Sequence, residues 1–543
     1  MKNRLTKLIW FFWTICFVLA STGQAQTPPV LNITNGINQV GLNWSNPNSY
    51  FLLQSATNLT RPINWVVCGS GASGMANVQK SGPQMFFRTA QMVPLYQFAI
   101  FYNLDLEINP GAAMTVVGPV HSNGSIWATG AGSGTSRLVF SSTVDAVGTI
   151  SNVPSPLDPQ NVGRSGNVLY TFTDNNPLAN YNPLTFAFGT NPSTDPTSFL
   201  AILQSPPPSL APPNYTAAYS VTGLAYLQNA VDLIVTNAAN GTNGTLGTNI
   251  MVYYQNPNNV PNYLIQVLPD VTSTNITGSG SSKATNIIYA YSYVTNVSFY
   301  DYREGKTVQA VQIDVAKLNS WLTNTSATGG IQYDNLNLGG GAGKGHHINS
   351  IYVFNNVTQT PSQLPAVRIV NGQKLPVNGL TVATPQPLYM LGNYNNTTNG
   401  STFSLTVGDT TNTVPSALMC DAITILSGNW SDSFNPSTPL SSRTPADTVV
   451  NAAVYTGIVL SNGTHYSGGV ENYFRLLENW AGNIVTWNGS MTALFPSQYA
   501  TNFWQPTGNY YNAPTRRWGF DLNFTNLNKL PPLTPLVANF VTP

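Results

Sequence analysis

From Tyr96 onward the chain is written as short apolar runs separated by turns of Gly, Asn and Pro. The first is QFAIFYNLDLEINPG, followed by GPVHSNGSIW, RLVFSS and AVGTI. The pattern returns in LTVATPQPLYMLGNYN, ALMCDAITILSGNW, TVVNAAVYTGIVLSNG and IVTWNGSM. Runs this short, each closed by turn residues, read as strands and leave little room for long helices. The spacing between runs is not constant, which excludes a strict solenoid with a countable period. It fits strand–turn coils of unequal length. The fold expected is mainly β: an irregular right-handed β-helix or solenoid-like body with a few short helices, preceded by a small β-sandwich. A sandwich with long insertions is the competing architecture.

Charge narrows the class further. Charged residues make up only 7% of the 543, against about 25% in ordinary soluble domains. Lys2, Arg4 and Lys7 precede the apolar run Leu8–Ala20, and Gly23, Gln24 and Ala25 supply small residues after it. That succession predicts a secretory signal over residues 1–25, cleaved after Ala25; the apolar run is short for a membrane span. Cys16 lies inside it without the small residues of a lipoprotein site before it. Cleavage leaves 17 basic residues against 19 acidic ones, a net charge of −2. No basic stripe remains, so nucleic acid is excluded as a partner, and no later segment is apolar enough to span a membrane.

The chain divides, on this reading, into the signal at 1–25, a small β-sandwich at 27–93 and a β-rich body at 94–543. Within the body, residues 151–300 form a polar insertion that includes the proline-rich SPPPSLAPPNY. Ala217 to Val235 is compatible with helix or strand. DVAKLNSWL, from Asp314 to Leu322, predicts a helix with Asp314 as its N-cap. A second helix is expected over Glu471–Ala481. At 100° per residue Glu471, Arg475 and Glu478 share one arc, while Val470, Tyr473, Phe474, Leu476, Leu477 and Trp480 fill the other. Gly468, Gly469 and Gly482 punctuate its ends. On such a helix Arg475 would make two surface ion pairs, with Glu471 and Glu478.

Few residues invite chemistry. Asp301, Arg303, Glu304 and Lys306 are the densest charge cluster, expected as a solvated turn with mutual ion pairs. GGGAGKGHH at 339–347 lacks both the spacing and the Ser or Thr of a phosphate loop, and adjacent His346 and His347 would point apart on a strand. His121 and His465 are expected in turns, as hydrogen-bonding residues. Cys68 and Cys420 are expected as buried free thiols, although an exported protein would permit a disulfide. Sequons such as Asn32, Asn58, Asn243 and Asn462 follow from an Asn/Thr-rich composition. No catalytic, cofactor-binding or metal-ligating residue is assigned, and no cofactor is expected.

Two resemblances add to this reading. Tyr50 to Trp65, with Phe86 to Arg88, resembles a fibronectin-III-like accessory module of secreted bacterial proteins. Over about residues 96–543 the motifs FYDYREGKTVQAVQIDVAKL, AVRIVNGQKLPVNG, YSGGVENYFRLLENW and YYNAPTRRWGFDLNF resemble the PilX-type pilus-associated secreted proteins of bacteria. A type IV pilin itself would begin with a short leader and a long helical spine, in place of the signal seen here. The resemblance implies an exported protein, extracellular or at the surface of a Gram-negative-type bacterium, with the periplasm as the other address. It implies a structural or adhesive role, no enzyme, and partners among cell-surface or pilus components. Two alternatives stay open: a polysaccharide-active β-helix lyase or hydrolase, and a carbohydrate-binding adhesin.

Overall fold

A computed structural model describes residues 30–539, apart from 37, 46–49, 58–65, 72, 82–83, 131–136, 173–175, 189–190, 240–245, 256–263, 268–269, 278–283, 291–292, 324–346 and 397–405. The expected signal, Cys16, Asn58, Asn243 and all of GGGAGKGHH except His347 lie outside the described residues, as does the side chain of Cys68. The chain is mainly β, and its sheets are open.

The longest sheet carries the architecture. In spatial order its parallel strands are Val144–Ala146, Val120–Ser122, Ile100–Tyr102, Met491–Pro496, Ala453–Ile458, Ser416–Cys420, Leu380–Ala383, Ser350–Phe354 and Leu233–Ala239. Two antiparallel strands, Leu246–Gln255 and Leu264–Val267, close that end. From residue 233 the chain climbs the stack in sequence order to residue 496. The next strand up belongs to residue 100. The N-terminal coils therefore sit on top of the C-terminal ones, with Ile100 opposite Met491.

These first coils are regular. Each carries strands in three sheets, such as Ile100–Tyr102, Leu106–Ile108 and Met114–Val116, and each strand pairs in parallel with its counterpart in the next coil. Ile126, Leu138, Phe140, Val120 and Leu106 are buried, which is what parallel strands covered on both faces require. Like residues stack in register: Phe140 lies opposite Tyr170 with ring centroids 5.4 Å apart and nearly parallel.

A second large sheet begins with the antiparallel hairpin Val294–Asp301 and Lys306–Asp314. It continues in parallel through Gln363–Gly372, Leu388–Tyr394, Thr448–Asn451, Ile484–Gly489 and Thr515–Phe520. Apolar runs thus form strands where expected: LTVA and LYMLGNY, SALMC and ITIL, TVVN and AVYTGI. The helix Val315–Thr323 also forms where expected, and the Asp314 carboxylate accepts from the Lys317 amide. Ala217–Val235 contains both elements: short helices Tyr215–Ala218 and Leu227–Ala230, then the strand from Leu233.

At the N-terminus, Val30–Asn35, Gln39–Ser45 and Ser73–Gln79 form one antiparallel sheet. Tyr50–Ala56, Val66–Gly71 and Phe86–Pro94 belong to another, and Val40, Leu42 and Leu53 form a small core with Val78 and Phe87. The second sheet is extended by Leu536–Asn539, so the chain's last described strand hydrogen-bonds to Phe86–Pro94.

The expected helix at Glu471–Ala481 is absent. Val470–Asn472 is a single 3₁₀ turn, Arg475–Leu476 is a strand pairing with Thr424 and Ile425, and Asn479 bridges to Asn512. The segment is one more rung of the stack. Its apolar residues are buried as the helical arc required, but Glu471, Arg475 and Glu478 are buried too. With no side facing water, the amphipathic pattern had nothing to orient a helix against.

Candidate functional site

The charged turn DYREGK is the natural starting point. It joins the hairpin strands of the second sheet, and Gly305 takes the left-handed conformation that lets it close (φ +65°). Asp301 Oδ1 accepts the backbone N–H of Arg303 (2.7 Å) and of Glu304 (2.8 Å), while Tyr389 donates to Oδ2 (2.6 Å). The expected solvated turn is instead an interior one: Asp301, Arg303 and Glu304 are 1%, 8% and 3% exposed. They do not neutralise one another. Glu304 pairs with Arg475, 171 residues away, and Arg475 also donates to the Ala500 carbonyl. Ionised groups survive burial only with such partners.

Burial, followed by the neighbouring Glu304, raises the Asp301 carboxyl above its ordinary pKa. Burial and the Arg475 charge lower Arg303 to about 10. Next to this group Asp421 accepts three backbone amides, from Gln498, Tyr499 (3.0 Å) and Ala500 (2.8 Å).

A second polar group surrounds the segment expected as a helix. Glu471 accepts the Asn109 amide (3.2 Å) and the Tyr466 hydroxyl (3.1 Å), which ties the 470s to the first N-terminal coil. Glu478 accepts both the amide and the hydroxyl of Ser427, each at 2.7 Å, and burial pushes its pKa up to about 7. The expected surface pairs of Arg475 with Glu471 and Glu478 are therefore replaced by three separate interior contacts.

Glu107 belongs to the strand Leu106–Ile108. Its Oε2 accepts Ser461 (2.9 Å) and Ser467 (3.2 Å), and burial raises it to about 7 against the lowering effect of those bonds.

The two groups meet at a narrow cleft of about 30 Å³, room for a water or two. Its walls include Tyr102 and Glu107 from the first N-terminal coil, Arg303 from the charged turn, and Ser467, Asn472 and Arg475 from the last C-terminal coils. The exposed carboxylate of Asp105 stands at its edge. The cleft exists because the N-terminal coils cap the C-terminal ones. A sequence reading finds the charged turn and the Glu471–Glu478 segment. It misses Glu107, Asp421 and Tyr389, for which the only signal is a charge or hydroxyl inside an apolar run of a charge-poor chain.

The remaining candidates are dispersed. His121 lies on the strand Val120–Ser122, not in a turn; there it is fully buried, paired with Asp145 and hydrogen-bonded to Asn123 (3.0 Å). It sits in register between Phe101 and Asp145, stacked on Phe101 at 5.1 Å. The parallel ladder, invisible in the local GPVHSNG motif, is what overrides the turn. His465 is in an exposed turn, stacked on Phe503 at 3.9 Å. His347 is exposed, and Cys420 is a buried free thiol. Among the described residues, no group of three or more His, Cys, Asp or Glu is placed to hold a metal ion, and no helix is long and apolar enough to cross a membrane.

No protein-family model and no curated protein matches the chain. Among solved structures it is similar to the competence-associated pilin ComZ from Thermus thermophilus, at 9% identity and a TM-score of 0.24, over 95% of this chain and 86% of that one. A likeness that slight carries no argument. What the site can do rests on its own geometry.

Proposed function

We propose that this chain is an exported structural protein of the bacterial surface, of pilus-associated type, with a non-catalytic, β-helix-like body behind a small β-sandwich. One observation supports the structural reading above others. Asp301, Asp421, Glu471 and Glu478 are buried, and both carboxylate oxygens of each accept hydrogen bonds within the protein. Most of those donors come from parts of the chain more than 50 residues away, so the carboxylates act as ties between distant segments. A general acid or base must reach substrate, and these four do not. The address rests on the basic, apolar and small-residue succession at the N-terminus and on the motif resemblance. Partners would be pilus or other surface components.

The test is to express the full chain in a Gram-negative host and fractionate the cells. The expected product begins at Gln26, is found outside the cytoplasm, and co-sediments with sheared surface appendages. A cytoplasmic product starting at Met1, or lipid on Cys16, would overturn the reading.

A second reading, a polysaccharide-binding or polysaccharide-cleaving protein, is favoured by Glu107, which lines the cleft and accepts its hydrogen bonds from Ser461 and Ser467 through Oε2 alone. Release of new reducing ends from acidic or neutral polysaccharides by the purified chain, abolished in Glu107→Gln, would replace the structural reading with this one.

A further inference from the structure

Two segments outside the strand ladders face each other across a cavity of about 340 Å³, against about 30 Å³ for the cleft. One is the loop 406–415, which leads into the strand Ser416–Cys420. The other follows the strand Thr515–Phe520 as two 3₁₀ turns, Leu522–Thr525 and Leu527–Lys529. Both are anchored to the end of one rung, Ile484–Gly489. Gly408 donates its amide to Asn488 Oδ1 (2.7 Å), and Asp521 donates its own to the Gly489 carbonyl (3.1 Å). Loops held on a rigid scaffold in this way are where binding residues concentrate. A continuous polar chain runs along the cavity wall. Lys529 Nζ donates to Asn523 Oδ1 (2.9 Å), Asn523 Nδ2 donates to Thr410 Oγ1 (3.1 Å), and the Thr410 hydroxyl bonds to the carboxylate of Asp521, a residue 5% exposed. The chain crosses from one segment to the other, so the two walls are fixed relative to each other before anything binds.

We propose that this cavity binds an uncharged sugar, the end of a neutral glycan, with its hydroxyl groups on the polar chain from Lys529 to Asp521. Its volume lies within the ~300–1,000 Å³ typical of small-ligand sites. Charge sets the class. The lining carries one cation, Lys529, and one anion, Asp521, so an anionic ligand would meet the carboxylate and a cationic one the ammonium. Hydroxyl groups suit both. They donate to a carboxylate, accept from an ammonium, and do either with the hydroxyls of Thr411 and Thr413, which line the same space. Lys529 gives one of its three N–H groups to Asn523, which leaves two for a ligand. Val414 and Pro415 add an apolar stretch of wall against which the C–H face of a sugar ring can lie. The site involves neither Glu107 nor the cleft, so it stands or falls apart from both readings given above.

The experiment is titration calorimetry on the full chain with D-glucose, D-galactose, D-mannose, N-acetyl-D-glucosamine and their linear trisaccharides, and with D-glucuronate and D-glucosamine as charged counterparts. Saturable binding of at least one neutral sugar is expected, at least tenfold tighter than either charged one. Hydrogen exchange should show the bound sugar protecting residues 406–415 and 521–530. Thr411→Trp, which fills the cavity from an exposed position, should abolish binding, and Lys529→Met should weaken it at least tenfold, while the far-UV spectrum stays that of the parent. Asp521→Asn should also weaken it at least tenfold; should that variant fail to fold, the two exposed positions still decide. No saturable response of the parent to any neutral sugar or trisaccharide overturns the proposal. So does equal binding of glucuronate or glucosamine, protection confined to other residues, or parent-like affinity in a folded Thr411→Trp.

Discussion

The coils around residues 100–170 and those around 416–520 belong to one stack but are held together differently. In the first region, several buried polar groups meet partners one coil away, His121 with Asp145, Asn123 with Asn103 and Thr129 with Asn109, at separations of 20 to 24 residues, and only at the junction do Glu107 and Asn109 reach Ser461 and Glu471. In the second, Asp421 and Ala500 are 79 residues apart, Glu304 and Arg475 are 171, and Glu304 and Asn502 are 198. The first region repeats a neutral or singly charged ladder. The second concentrates formal charge in the interior and neutralises it from distant parts of the chain. A stack can thus be stabilised rung by rung or clamped across many rungs, and the two should fail differently.

The largest expected effect is in the clamped region. Arg475→Met leaves Glu304 buried without its cation and should cost about 3–5 kcal/mol of stability, read from the urea midpoint. The double variant Arg475→Met with Glu304→Leu should recover part of that loss, because an apolar pair avoids the stranded charge. If the double variant is no more stable than Arg475→Met alone, charge clamping is the wrong description. Of similar size is Phe140→Ala in the ladder region, about 3–5 kcal/mol, since a fully buried ring in register with Tyr170 is lost. Its unfolding should begin in the first coils, which hydrogen exchange at residues 100–170 would reveal. A smaller effect, about 1–3 kcal/mol, is expected for Asn123→Ala, which leaves the Asn103 side chain and the Leu184 carbonyl without a donor. Should Arg475→Met cost no more than Asn123→Ala, the contrast between the regions collapses.

The smallest effect is graded with pH. Glu107 and Glu478 are raised by burial to about 7 when folded, against an ordinary 4.5. The folded state therefore holds these protons more tightly than the unfolded chain. Their contribution is fully present below about pH 4.5 and is lost as pH rises through 7. Melting temperature should fall between pH 5 and pH 8, and the Glu107→Gln, Glu478→Gln double variant should flatten that slope. An unchanged slope would mean that neither carboxyl is protonated in the folded protein at pH 5.

Much of the strand content was legible because each rung is locally marked: Leu388–Tyr394 and Ala453–Ile458 are apolar runs bounded by turn residues. Asp314 capped its helix for the same local reason. The segment at 471–481 shows the limit. Helical periodicity records that one arc is apolar but not whether the other meets water, and here Glu304, Ser427 and Asn109 stand in water's place. The charged turn was conspicuous in a charge-poor chain, yet its burial depends on Arg475 and Tyr389, far along the sequence. The pairing of Ile100–Tyr102 with Met491–Pro496 has no local mark at all.

That pairing has a consequence in time. The seat on which residues 100–102 dock is made of residues 491–496, so during synthesis the first coils precede their foundation by nearly the whole chain. At ~5–20 residues per second the delay is roughly 20–80 s. Throughout that interval the edge of Ile100–Tyr102 that will meet Met491 has no partner, and the cleft carrying Arg303 has only some of its walls. The first coils must wait without pairing wrongly, and an unpaired strand edge is an invitation to do so. A chain that folds top rung last by distance but first by synthesis gains from being kept extended until its end has been made.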